Sequence, residues 1–175
     1  LAGEPGVGKS TLLLQVCNAM ATAERRVLYV SAEESPSQVA LRGKRLGAFD
    51  KGFPLVCQEN VLEILPMLGD FDFAVFDSVQ AMKHAGAQGW PGTPSQVRAV
   101  AQGISEEAKK CGCTAVLVGH ITKDGQIAGG IPTHVRQACS AFLLDFDCTR
   151  ASKWGVQWAT PFPAARSRTS ARRRR

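Results

Sequence analysis

The feature that most constrains this chain is a glycine-rich segment at its N-terminus. Residues 3–10 read GEPGVGKS and satisfy the pattern G-x-x-x-x-G-K-[ST] at every fixed position. Glycines let backbone N–H groups turn inward onto phosphate oxygens, where a side chain would collide. A helical pattern over residues 11–21 follows, so the positive end of a helix dipole faces the anion. The segment therefore predicts a nucleoside triphosphate site, with ATP and magnesium as ligands.

Individual positions of this segment have predicted roles. Lys9 supplies a positive charge to the β- and γ-phosphates, and the Ser10 hydroxyl is the predicted magnesium ligand. The predicted nucleotide-binding set comprises Gly3, Glu4, Pro5, Gly6, Val7, Gly8, Lys9, Ser10 and Thr11. Because a buried strand normally precedes such a loop and only Leu1 and Ala2 represent it, we expect the first strand to be largely missing and the isolated chain to be unstable.

Short apolar runs alternate with helical stretches, which predicts an α/β fold with a mostly parallel sheet flanked by helices. Strands are expected at residues 27–30, 72–77 and 114–119, and weaker ones at 141–146 and 156–159. One helix begins at the Ser35-Pro36 pair, and another covers residues 94–110. We predict a core domain over residues 1–146 and a divergent, disordered basic tail over 147–175.

Polar side chains stand where three predicted strands end. Asp77 occupies the position at which a carboxylate holds the water shell of a magnesium ion. Glu33 and Glu34 follow the strand at 27–30, and one of the two is expected to act on the attacking water, since successive residues of an extended chain point to opposite sides. His120 ends the strand at 114–119, where it can contact a γ-phosphate. We expect Lys9, Glu33, Asp77 and His120 to form the catalytic set.

The charge of the chain is concentrated at one end. Of 21 lysines and arginines against 15 acids, six arginines lie in the last eleven residues, so the rest is neutral. This tail is either a phosphate-binding segment or solvated, out-of-frame sequence. No apolar run reaches the ~18 residues of a membrane helix, so no membrane is expected. Six cysteines without a C-x-x-C pair favour a reduced compartment over secretion, and no zinc is expected.

Longer runs extend the motif into a family pattern. The chain resembles the RecA-fold ATPases, and among them the RadA (Sms) family of bacterial DNA-repair proteins, over roughly its first 129 residues. The runs that carry the resemblance are GEPGVGKSTLLLQ, VLYVSAEES, FAVFDSVQAM, PGTPSQVRAV and VGHITKDGQIAG. The last run, combined with SAEES after the second strand, is far more particular than the phosphate loop alone.

The resemblance implies a hexameric, DNA-stimulated ATPase that migrates branches during recombinational repair. It implies that Glu33, and not Glu34, activates water, that Asp77 is the Walker B acid, and that His120 senses the nucleotide. It also implies that the loops at residues 83–95 and 122–131 face DNA, with Arg98 and Lys123 as candidate phosphate contacts. The protein would be cytoplasmic in a bacterium, or organellar in a eukaryote.

Three departures from the family pattern qualify the resemblance. The four-cysteine zinc finger, the KNRFG motif and the protease-like domain of the family are absent from this sequence, and the match fades near Gly130, which suggests a frameshift. Two alternatives to the repair function therefore stay open. The chain could be a nucleotide-gated signalling or scaffold module similar to KaiC, or an inert truncated product.

Overall fold

The computed structural model describes residues 1–3, 5–49 and 52–120. Strands and helices alternate along this part of the chain, as expected for an α/β fold. In order they are β1 (Ala2–Gly3), α1 (Lys9–Thr22), β2 (Val27–Ser31), α2 (Pro36–Arg45), β3 (Leu55–Cys57), the 3₁₀ helices Val61–Glu63 and Leu65–Asp70, β4 (Phe73–Asp77), α3 (Pro94–Cys111), β5 (Thr114–Leu117) and β6 (Gly119–His120).

All strand pairs among the described residues are parallel. Four strands follow the order β3-β2-β4-β5, and β1 pairs with β6. The segment β5–β6 connects the two groups, because Val118 bonds to the β4 side through Phe76 O and Val79 N, whereas its neighbours Leu117 and Gly119 bond to Leu1. The phosphate loop therefore leaves the sheet next to His120. Strand β1, which leads into this loop, lies two positions from β4.

Alternating residues of β2 and β4 build two cores, one on each face of the sheet. Leu28 and Phe76 belong to the core that α3 and the 3₁₀ helices cover, and Tyr29 and Val75 belong to the core that α1 and α2 cover. Both strands are buried along their whole length. A strand that is covered on both faces reads as a continuous apolar run, which is the pattern in the sequence.

Local signals account for the helix boundaries. Ser35 caps α2, with Pro36 in the first turn and a capping box completed by Gln38, as the Ser-Pro pair predicted. Helix α3 starts after Thr93 and stops at Gly112, whose φ of 77° glycine adopts without strain. The predicted helices and the three main strands are thus present, within one or two residues of their expected ends.

Strand β3 and the two 3₁₀ helices were not predicted from the sequence. Strand β3 has three residues at the sheet edge and none of them is buried, so its hydrophobic pattern is weak. The strands expected at residues 141–146 and 156–159, and the tail at 147–175, lie outside the described residues. In the part of the chain that the structure describes, no helix has the length and apolar character of a membrane span.

Candidate nucleotide site

The phosphate loop connects β1 to the first turn of α1. Gly6 and Gly8 have φ angles of 80° and 91°, a region that other residues rarely adopt. Gly8 is the N-cap of α1 and supplies no side-chain cap, so the first backbone N–H groups of the helix face an anion site. A Cβ built at either glycine would meet nothing within 4 Å. The loop is therefore an open cradle lined by backbone, which fits a phosphate chain.

The remaining loop residues surround this cradle. Lys9 is buried, and its Nζ donates a hydrogen bond of 2.8 Å to Gly3 O. Ser10 and Thr11 are half-buried in the first turn of α1, whereas residues 5–8 are exposed. The predicted member Glu4 lies outside the described residues. The ammonium group of Lys9 is thus already tethered across the base of the loop.

Asp77 ends β4 beside the loop, and a buried tyrosine holds it. The Tyr29 hydroxyl donates to Asp77 Oδ2 over 2.7 Å. Burial, together with the charge of Asp77, raises the pKa of Tyr29 well above its usual range, and the nearby Ser10 hydroxyl lowers it in part. Tyr29 therefore remains a donor. Ser10 and Asp77 offer oxygen ligands, which magnesium prefers, so these residues fit the predicted metal.

Glu33 lies between two strand ends. The Ser78 hydroxyl donates to Glu33 Oε1, and His120 Nε2 lies 3.1 Å from the same oxygen. Ser78 is fully buried, whereas the Glu33 side chain is 42% exposed. The carboxylate is thus fixed from the protein side and open to water on the other. His120 Nδ1 is buried and has no hydrogen-bond partner among the described residues.

Glu34 has a different environment from its neighbour. Its carboxylate forms a salt bridge with Arg42 of α2. The two glutamates lie in the turn after β2 and not on an extended strand. The alternation of side chains along a strand, from which their different environments were predicted, is therefore not the cause of the difference. The structure nevertheless brings only Glu33 to Ser78 and His120, which agrees with the position that the family resemblance selected. The catalytic role of Glu33 stays a prediction.

The loop between β4 and α3 is held by one buried side chain. Gln96 Oε1 accepts from His84 N over 2.7 Å, and Gln96 Nε2 donates to Ala87 O over 2.7 Å and to Gly89 O over 3.2 Å. Trp90 projects from this framework with 83% of its surface exposed. The loop therefore presents an aromatic ring on an ordered backbone.

The two DNA-binding candidates are in different parts of the chain. Arg98 is exposed on α3, one turn after the loop that carries Trp90. Lys123 lies outside the described residues. The structure therefore places one of the two predicted basic contacts on the surface, and the contact with DNA stays a prediction.

Three residues of this region were not predicted from the sequence. Tyr29 lies inside an apolar run, where a tyrosine is usually a core residue. Ser78 directly follows the strand-end acid Asp77, and Gln96 lies in the first turn of a helix. The parity of Tyr29 was the available signal, since it lies on the sheet face of Asp77 in the register Ser31↔Asp77. The partners of Ser78 and Gln96 come from distant segments and left no local signal.

The loop, the strand-end carboxylates and the sheet order define a P-loop ATPase domain of RecA-like fold. Residues 1–126 match the family model described as AAA domain, and the chain belongs to that family. Two solved structures share the fold at 11% identity. They are a solved ATPase domain (TM-score 0.57, covering 70% of this chain and 56% of that one) and a DnaB-like replicative helicase studied with primase (TM-score 0.58, covering 70% and 39%).

Among curated proteins, the chain is similar to the DNA repair protein RadA of several bacteria. It is 41% identical over 136 residues to that of Brucella abortus (strain 2308), covering 74% of this chain and 29% of the relative. The protein of Mycobacterium tuberculosis (strain ATCC 25618 / H37Rv) is 45% identical over 133 residues, covering 74% and 28%. That of Mycolicibacterium smegmatis is 42% identical over 158 residues, covering 87% and 33%. The chain thus spans a third or less of these relatives.

Proposed function

We propose that this chain is the ATP-hydrolysing core of a DNA-repair ATPase of the RadA type. The observation that carries the proposal is the meeting of the phosphate loop, Asp77 and Glu33 at the same edge of a parallel sheet. Ligands of open α/β sheets bind at the carboxyl ends of the strands, which is where all three lie. The similarity to RadA proteins supports repair as the setting of the reaction.

ATP binding follows from the cradle and its lysine. The inward N–H groups at Gly6 and Gly8 receive phosphate oxygens, and Lys9 Nζ exchanges its bond to Gly3 O for a phosphate oxygen. Ser10 and Asp77 are the residues that would hold magnesium and its water shell. When bound, magnesium neutralises charge on the β- and γ-phosphates.

Hydrolysis requires a base beside the γ-phosphate. Glu33 supplies it: the carboxylate orients a water molecule and accepts its proton, while Ser78 and His120 keep Oε1 in place. His120 ends β6, and β6 pairs directly with β1, the strand that leads into the phosphate loop. A phosphate bound in the loop therefore influences the position of the same histidine that contacts Glu33. The site therefore couples nucleotide occupancy to the position of the base.

The surface around the β4–α3 loop suits a nucleic acid. No acidic residue occurs between Asp77 and Glu106, and Trp90 and Arg98 are both exposed in this stretch. An exposed tryptophan can stack on an unpaired base, and an arginine can bind a phosphate. We propose that this surface contacts single-stranded or branched DNA, together with Lys123. DNA contact would then stimulate ATP turnover during branch migration.

The family resemblance supports assembly into a homo-oligomeric ring, and we propose a hexamer. In a bacterial host the ring would act on DNA in the cytoplasm. Light scattering of the purified chain with and without an ATP analogue measures the subunit number directly. A monomer under both conditions would contradict the ring.

The test of the proposed function is phosphate release from ATP with magnesium, with and without single-stranded DNA. We expect turnover that rises when DNA is added. Lys9→Ala should lose nucleotide binding, and the matched control Lys44→Ala, an exposed lysine of α2, should retain it. ATP binding and turnover that do not change when DNA is added would favour the nucleotide-gated scaffold instead. Absence of ATP binding would refute both functions in favour of an inert product.

A further inference from the structure

One buried hydrogen bond at the site has no role in the function proposed above. Tyr29 is 1% exposed on β2 and donates to Asp77 Oδ2, 48 residues later in the chain. Of its strand neighbours on the same face, Val27 and the paired Val75 are apolar, whereas Ser31 is polar. Phenylalanine would fill such a position without a polar group to satisfy. The hydroxyl is therefore the feature that requires an explanation.

The phenol contacts one of the two residues that fit magnesium. Its hydroxyl donates to Asp77 Oδ2 over 2.7 Å. A carboxylate has two oxygens, and a short hydrogen bond to Oδ2 defines the rotation of the group. Because Oδ2 accepts from the phenol, Oδ1 is the oxygen that would accept from a metal-bound water.

We infer that Tyr29 is a positioning residue for magnesium, which holds the Asp77 carboxylate in the orientation that the metal's water shell requires. The inference rests on the proposed function, because it concerns the same nucleotide site. Hydrogen-bond partners that orient a metal-binding carboxylate typically contribute about 10–100-fold to metal affinity. A bond that merely satisfies a buried hydroxyl would instead affect folding stability and leave the magnesium dependence unchanged.

The first test measures magnesium dependence of nucleotide binding, with a fluorescent non-hydrolysable ATP analogue as the probe. In Tyr29→Phe we expect unchanged affinity without metal and a magnesium midpoint at least about 10-fold higher than in wild type. Ser31→Ala is the matched control, because it removes another buried hydroxyl of β2 that bonds to the Glu34 backbone and not to Asp77. In an Asp77→Asn background, Tyr29→Phe should have no further effect. A wild-type midpoint in Tyr29→Phe would overturn the inference.

The second test needs no substitution at Tyr29, so it remains decisive if Tyr29→Phe does not fold. Tyr29 is the single tyrosine of the 175-residue chain, so tyrosine labelled with ¹³C at Cζ yields one NMR resonance. With the analogue bound, magnesium should shift this resonance in wild type and not in Asp77→Asn. If the analogue binds with magnesium and the resonance does not move, the inference fails and the proposed function stands. If the analogue does not bind, both fail.

Discussion

Replacing Glu33 by glutamine, with Glu34→Gln as the comparison, isolates the chemistry of one carboxylate. The two substitutions are identical in kind and one residue apart. Glutamine at position 33 keeps an oxygen that can accept from Ser78, so the side chain stays in place but cannot take a proton. Glu34 instead pairs with Arg42, and both side chains are partly exposed.

The expected magnitudes differ strongly between the two variants. Loss of a general base typically lowers turnover by about 10²–10⁴-fold, which corresponds to roughly 3–5 kcal/mol in the activation free energy. Loss of the Glu34–Arg42 pair should change the free energy of unfolding by about 1 kcal/mol or less and leave turnover unaltered. Glu33→Gln should therefore bind ATP with wild-type affinity and hydrolyse it slowly.

Two assays separate these effects. Phosphate release under saturating ATP and single-stranded DNA measures turnover, and titration with a fluorescent ATP analogue measures affinity. Wild-type turnover in Glu33→Gln would remove that residue from the mechanism. Equal losses in the two variants would refute the distinction between the glutamates that the contacts with Ser78 and Arg42 support.

Other parts of the chain give further expectations. Arg26 lowers the pKa of Asp72 to about 2 from 3.8. At neutral pH, Asp72→Asn should therefore have a smaller free energy of unfolding than wild type, measured by urea unfolding. This difference should disappear as pH falls through the interval between the two pKa values. In Gly43→Ala, the new methyl would lie 2.0 Å from a ring carbon of Phe49, and overpacking of about 1–3 kcal/mol should lower the melting temperature; an increase would contradict the packing. Among the four described cysteines, only Cys57 is exposed, so a thiol reagent followed by peptide mapping should modify Cys57 before the other three.

The sequence alone determined the elements of the site and the class of fold. The phosphate-loop pattern requires glycines at positions of positive φ, and it could be recognised because this requirement is local. The start of α2 at Ser35-Pro36 and the apolar strands β2 and β4 could also be predicted, since caps and burial leave short-range patterns in the sequence. Edge strand β3 was not, because none of its side chains is fully buried and its pairing depends on β2.

Tertiary structure alone decided which of these residues meet. The separation of Glu33 from Glu34 arises from contacts with Ser78 and Arg42, and neither contact follows from residue spacing. The bond between Tyr29 and Asp77 joins residues 48 positions apart and depends on the register of the two strands that carry them. Register and turn geometry are set by the packing of the whole sheet between its helices, so a local pattern can indicate a carboxylate but cannot say what holds it.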